Sequence, residues 1–283
     1  MDVLADALRE CHREITGYLY MGWVRWDEMV KRVDRLGKQD DEQMWTFLVA
    51  CGYAIAGEEG VAKLTRTLTG SSYRPPMSTK VWFEVSPVPP RKREGDTHLD
   101  LALGTIAVRE GTEAGIRLDD AESPWICFCE MKWYADIDVK VSHDVQRNQL
   151  ARVIENALCF QHSGRYADRI HVTLVTPSVF RDAVSHVPPL RSRLYQYKFE
   201  EYDKPDRASL MADLEACPLE KNRQPEQPDW FFPRDLAERA KSLLALRWVT
   251  YDELFDDKNL PDSPIAAELK DFWAKYGNYQ GRP

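Results

Sequence analysis

Residues 125–133 read Trp-Ile-Cys-Phe-Cys-Glu-Met-Lys-Trp. Trp125, Cys127 and Cys129 alternate with Ile126 and Phe128, so both faces are apolar, as in a strand at the centre of a sheet. Two charges end the run. Glu130 and Lys132 lie two residues apart and leave a strand on the same side. Burying a charge without a partner is costly, so an apolar strand that carries this pair predicts a use for it.

Upstream, residues 98–104 read His-Leu-Asp-Leu-Ala-Leu-Gly and predict a strand over 98–105. Residues 110–123, rich in Gly, Glu and Asp, predict the hairpin loop joining it to 125–133. Such a hairpin brings Asp100 beside Glu130 and Lys132. Two carboxylates and an ammonium gathered on a sheet can hold a divalent cation and activate water. Residues 80–86, KVWFEVS, predict an earlier strand in which Val81, Phe83 and Val85 alternate with Trp82 and Glu84.

Helices flank these strands. Residues 40–57 predict one capped by Asp40 or Asp41 and stopped by Gly57. Residues 58–78 read as irregular, or as a short helix and a loop. A long helix is predicted over about 142–162, capped by Ser142 or Asp144, then a strand over 168–176 ending at Pro177. Residues 2–20 and 26–36 have helical spacing. Past 179, LYQYKFEEY within 192–202 predicts a further strand, and 206–216, 233–246 and 262–276 predict helices. Thr250 and Glu253 fit a capping box. The fold class is therefore α/β, an αβββαβ core with a mixed central sheet and helical additions at both ends. Three segments follow: an N-terminal helical extension over 1–39, the core over 40–178, and a mostly helical C-terminal extension over 179–283, packed on the core.

The 283 residues are 43% hydrophobic and 11% aromatic, a folded composition. No apolar run approaches the ~18 residues of a membrane helix, and the charged opening MDVLADALRECHREI predicts an amphipathic helix, not a secretory leader. The six cysteines form no CxxC pair and read as buried core residues in a reducing cytoplasm. Cys127 and Cys129 have no adjacent partners for a zinc site. A net charge of −8 disfavours a nucleic-acid coat but leaves room for a local groove or a metal-loaded acidic site.

The element order, with Asp100 on the second strand and Glu130-Met131-Lys132 on the third, resembles the PD-(D/E)XK nuclease superfamily. The resemblance covers roughly residues 40–178. Leu99 stands where the family's name has Pro, and Val153 follows Gln149 where some exonuclease-like members have Tyr. The resemblance implies a restriction-endonuclease-like core and Mg²⁺- or Mn²⁺-dependent hydrolysis of DNA phosphodiesters. Asp100, Glu130 and the Met131 carbonyl would be the ligands, and Lys132 a protonated electrostatic element beside the attacking water.

Around this set, Glu84, Gln149 and His98 are candidate supporting residues, and Arg147, Arg152 and Asn156 candidate phosphate contacts. Glu42 reads as a solvated residue in a first helical turn, favoured there by the helix dipole, though in such folds that position reaches the metal. The chief alternative is a non-catalytic scaffold or partner-binding subunit of a nucleic-acid-processing or defence complex. A phosphohydrolase or transferase acting on nucleotides is a third reading. The C-terminal region is the expected surface for a homodimer or a protein partner.

Overall fold

The computed structural model describes residues 3–35, 41–70, 79–91, 97–133, 135–136, 148–182, 193–216 and 229–277. The chain opens with helices Val3–Glu10 (α1) and His12–Tyr18 (α2), a strand Leu19–Met21 (β1), and helices Trp26–Arg35 (α3), Glu42–Ala54 (α4) and Gly57–Thr69 (α5). Strands Val81–Val85 (β2) and Leu99–Gly104 (β3) follow. A small hairpin, Ile106–Val108 (β4) and Ile116–Leu118 (β5), leads to Trp125–Met131 (β6). After β6 come helix Gln149–Cys159 (α6), a two-residue hairpin Gln161–His162 (β7) and Arg165–Tyr166 (β8), and strand Arg169–Thr176 (β9). The last part holds helices Ser178–Arg181 (α7), Leu194–Tyr202 (α8), Ala208–Glu215 (α9) and Leu236–Ser242 (α10). Strand Leu244–Thr250 (β10) and helices Tyr251–Phe255 (α11) and Ala266–Tyr276 (α12) complete it.

Six strands form one mixed sheet in the order β1-β2-β3-β6-β9-β10. β2, β3 and β6 are antiparallel neighbours, while β1 joins β2, and β9 and β10 join β6, in parallel. Helices cover both faces. One face packs α1–α5, α11 and α12 onto Phe83, Leu101, Cys127 and Cys129. The other packs α6 and α8–α10 onto Trp82, Ala102, Ile126 and Phe128. The alternation predicted for 125–129 is thus the division between two cores. α4 is buried on all sides, as its length of apolar sequence requires.

Several elements differ from the sequence reading. Residues 57–69 form a full helix, and Gly57 opens it with φ of +63° instead of ending the previous one. LYQYKFEEY is helix α8, not a strand. Tyr195, Phe199 and Tyr202 are buried at spacings of four and three, whereas Tyr197 is exposed. The helix predicted over 233–246 stops at Ser242, and β10 begins two residues later. Both outer segments supply an edge strand to the sheet, β1 and β10, so neither is purely helical. The Thr250–Glu253 capping box forms, with both reciprocal bonds made. α6 is capped by Asn148, whose side chain accepts the Ala151 N–H at 2.9 Å. The caps proposed at Asp40, Ser142 and Asp144 lie outside the described residues. Among the described residues no helix is long and apolar enough to cross a membrane.

Candidate functional site

Strand register decides where the acids go. The β2–β3 ladder pairs Phe83 with Leu101 and Val85 with Leu99, which leaves Glu84 opposite Asp100. The β3–β6 ladder pairs Leu101 with Cys129, so its next step sets Asp100 opposite Glu130. Three carboxylates therefore lie in a row across three adjacent strands, where β6 ends. The row coincides with a break in the pleat. Val85 and Leu99 pack in the same core as Trp82 and Ala102, although simple alternation puts them on the opposite face. Glu84 carries the break with φ of +53°, a left-handed conformation rare for a side chain of this kind.

Each acid is held by a named partner. Asp100 Oδ2 accepts the Met131 N–H at 2.7 Å, so the first acid is bonded to the residue between the other two charges. The Lys132 ammonium lies 2.8 Å from Glu130 Oε1 and 3.1 Å from Glu42 Oε1, and it donates to the Met131 carbonyl at 3.2 Å. The lysine is 3% exposed, and its own N–H donates to Val175 O, which continues the ladder to β9. Glu42 Oε2 accepts the Trp133 N–H at 2.9 Å, and Trp133 stacks on Trp45, one turn along α4. Asp41 caps that helix through the Met44 N–H. Gln43 Nε2 donates to Glu84 Oε1 at 2.7 Å.

The electrostatics follow from four acids around one cation. Burial, then the Glu130 charge, raises the Asp100 carboxyl well above its ordinary value. Burial likewise raises Glu84 and Glu42, against the opposing Gln43 bond at the first and the Lys132 charge at the second. For Lys132, burial favours the neutral amine, but Glu130, Glu42 and Asp100 together outweigh it and hold the ammonium well above the usual lysine range. The surrounding acids thus favour the charged form of Lys132.

Glu42 is therefore no solvated first-turn residue. It holds Lys132 and the end of β6 from the helix layer, and Gln43 beside it does the same for Glu84. Spacing along the chain gives no signal for this, because the contact spans 90 residues. Gln149 opens α6, which must run back from the end of β6 to reach parallel β9, so it starts at the acidic end of the sheet. Its Oε1 is buried with no hydrogen-bond partner among the described residues.

Other expectations fare differently. His98 is exposed and packs on Trp23, with ring centroids 5.3 Å apart. Arg152 is buried and donates to Thr97 Oγ1, while Asn156 is buried and donates to the Arg152 carbonyl. Both are committed inside the fold, and phosphate contacts from them do not fit that packing. Arg147 lies outside the described residues.

Among the described residues no three His, Cys, Asp or Glu side chains stand at the mutual spacing of a formed metal site. The donor chemistry nevertheless suits a hard divalent cation. The acids outnumber the ammonium four to one, and the second oxygens of Asp100 and Glu130 make no hydrogen bond among the described residues. Compared with protein-family models, curated proteins and solved structures, the chain gives no match.

Proposed function

We propose that this chain is a metal-dependent nuclease with a restriction-endonuclease-like core, hydrolysing DNA phosphodiester bonds in a reducing cytoplasm. The observation that carries the reading is the register that sets Glu84, Asp100 and Glu130 in one row beside Lys132. The order α4-α5-β2-β3-β6-α6-β9, interrupted by the small hairpins β4–β5 and β7–β8, supports it, with Glu42 at the start of α4 closing the set. Asp100, Glu130 and the Met131 carbonyl would hold Mg²⁺ or Mn²⁺, which when bound polarises a phosphoryl oxygen and acidifies water.

The chain's own groups do the rest. Lys132 stays charged and presents its ammonium to an oxygen that gains negative charge as water attacks phosphorus in line. Glu42 and Glu130 fix that ammonium, so little reorganisation is needed. Trp23 is 49% exposed and held beside the row, its backbone N–H bonded to the Glu84 carbonyl, its indole N–H to Ser86 Oγ, and its ring tilted against His98. An exposed indole at this place suits a nucleobase, since base–aromatic stacking is tolerant of sequence.

The test is cleavage of single- and double-stranded DNA and of RNA with Mg²⁺ or Mn²⁺, comparing wild type with Asp100→Asn and Lys132→Met. The expected loss is about 10²–10³-fold or more for each variant. Equal cleavage by wild type and variants, or activity that survives chelation, overturns the reading. One observation favours the non-catalytic scaffold instead: Lys132 already bridges Glu130 and Glu42, and no three-ligand group is formed among the described residues. Wild type inert on every substrate with both metals decides for it.

A further inference from the structure

A second charged site lies at the β10 edge of the sheet. A cavity of about 360 Å³ opens between the C-terminal part of α5, strand β10 and the loop after α11. Lys63 and Arg66 enter it from α5, Arg247 from β10 and Lys258 from the loop. Glu253 is the acid in its lining, and it is already engaged. Its Oε2 lies 2.7 Å from Arg181 and accepts the Thr250 N–H.

None of the four cations makes an ion pair among the described residues. Two are tethered through backbone carbonyls. Lys63 Nζ donates to Leu260 O at 3.2 Å, and Arg247 Nε donates to Thr67 O at 3.0 Å. These bonds use one donor of each charged head and do not neutralise it. Arg66 and Lys258 are exposed. The chain has 46 acidic against 38 basic side chains, so carboxylates are plentiful, yet among the described residues none forms an ion pair with this cluster. The C-terminal dipole of α5 accounts for Arg66, the basic residue of its last turn. It does not account for Arg247 and Lys258, which arrive from other elements.

Two guanidinium forks and two ammonium groups converging from three elements suit an anion with acceptors on several sides, as a phosphate has. A planar carboxylate is served by one arginine. The volume leaves room for more than the anion alone, and Thr67 and Asn259 line it with neutral polar groups. The site is separate from the acid row. Arg247 pairs with Thr173 and, through β9, with Cys129, which places two strand spacings, about 10 Å, between the backbones.

We propose that this cavity binds a phosphate group, carried by a nucleic-acid backbone or a small phosphate compound, through Lys63, Arg66, Arg247 and Lys258. The proposal stands independently of hydrolysis at the acid row.

The experiment uses the full chain in chelator. Pyrophosphate binding is measured by calorimetry, and that of a fluorescein-labelled oligothymidylate by anisotropy. The variant is Arg66→Gln/Lys258→Gln, whose two side chains are exposed and make no hydrogen bond or ion pair among the described residues. Wild type binds, and the double variant binds about tenfold or more weakly, with a shallower salt dependence. Mutual competition of the two probes assigns the site to a nucleic-acid backbone, and binding of pyrophosphate alone assigns it to small phosphates. Absence of saturable binding of either probe, or equal binding by wild type and variant, overturns the proposal. Because the reading is taken without divalent metal, an inert acid row leaves the result standing.

Discussion

Two buried ionic clusters sit on opposite faces of the sheet, and they are built on different accounts of charge. Arg91 and Glu155 are both 0% exposed and meet through two parallel bonds of 2.8 and 3.0 Å. The guanidinium also donates to the Leu214 carbonyl at 2.7 Å. The two opposite charges meet directly, and the pair ties the segment after β2 to α6 and α9. At the end of β6, one ammonium contacts two carboxylates, Glu130 and Glu42, and two more, Asp100 and Glu84, are held close by through Met131 and Gln43. A matched buried pair serves the fold. A surplus of buried like charge weakens the fold, and its persistence points to a ligand or a reaction.

The largest effect comes from breaking the matched pair. Glu155→Gln or Arg91→Met alone leaves one buried charge without its partner and is expected to lower unfolding free energy by about 3–5 kcal/mol. Arg91→Met/Glu155→Leu together should recover most of that loss. Guanidinium denaturation checks both, and a single substitution costing under about 1 kcal/mol removes the contrast.

Removal of a charge from the acid row has the opposite sign. Asp100→Asn keeps an oxygen for the Met131 N–H and relieves repulsion, so it is expected to raise stability by about 0.5–2 kcal/mol. The pH dependence sharpens this. A carboxyl raised on folding contributes stability that is present below its unfolded value, near 4, and lost as pH rises through its folded value. Wild type should therefore lag Asp100→Asn most above the raised value, and the gap should close as pH falls towards about 4. Lys132 is raised too, but its contribution is complete throughout that range. A wild-type curve parallel to that of the variant contradicts the surplus. Divalent metal tests the same point. Mn²⁺ at a hundred times its dissociation constant should stabilise wild type by about 2.7 kcal/mol, and Asp100→Asn by far less.

The sequence makes the row's strands readable, because Asp100, Glu84 and Glu130-Met131-Lys132 interrupt apolar runs whose period is two. It does not make the row itself readable, since register is a property of two strands and not of either one. Glu42 is hidden for the same reason: alone it is an ordinary acid at a helix start, and only the docking of α4 brings it to Lys132. The edge strand β10 is masked by neighbouring leucines whose spacing also suits the preceding helix, while the aromatic residues of α8 mimic strand alternation until burial picks out Tyr195, Phe199 and Tyr202. The basic cavity draws on three elements far apart in the chain and leaves no local pattern.

The smallest predicted effect concerns the backbone that turns Glu84 into the row. Its φ of +53° costs about 1–2 kcal/mol for a residue with a Cβ and nothing for glycine. β1 meets this point closely: the Gly22 N–H bonds to Phe83 O, and a Cβ at Gly22 would fall 2.0 Å from the Glu84 carbonyl oxygen. Glu84→Gly and Glu84→Ala both remove the carboxylate and the Gln43 bond, so their difference isolates the backbone. The glycine variant is expected to be more stable than the alanine variant by about 1 kcal/mol, despite glycine's freer unfolded chain. Chemical denaturation of the two reads the difference. An alanine variant as stable as the glycine variant would mean that the left-handed turn carries no strain, and the acid at 84 would then be an ordinary strand residue, not one held in the row at a cost to the fold.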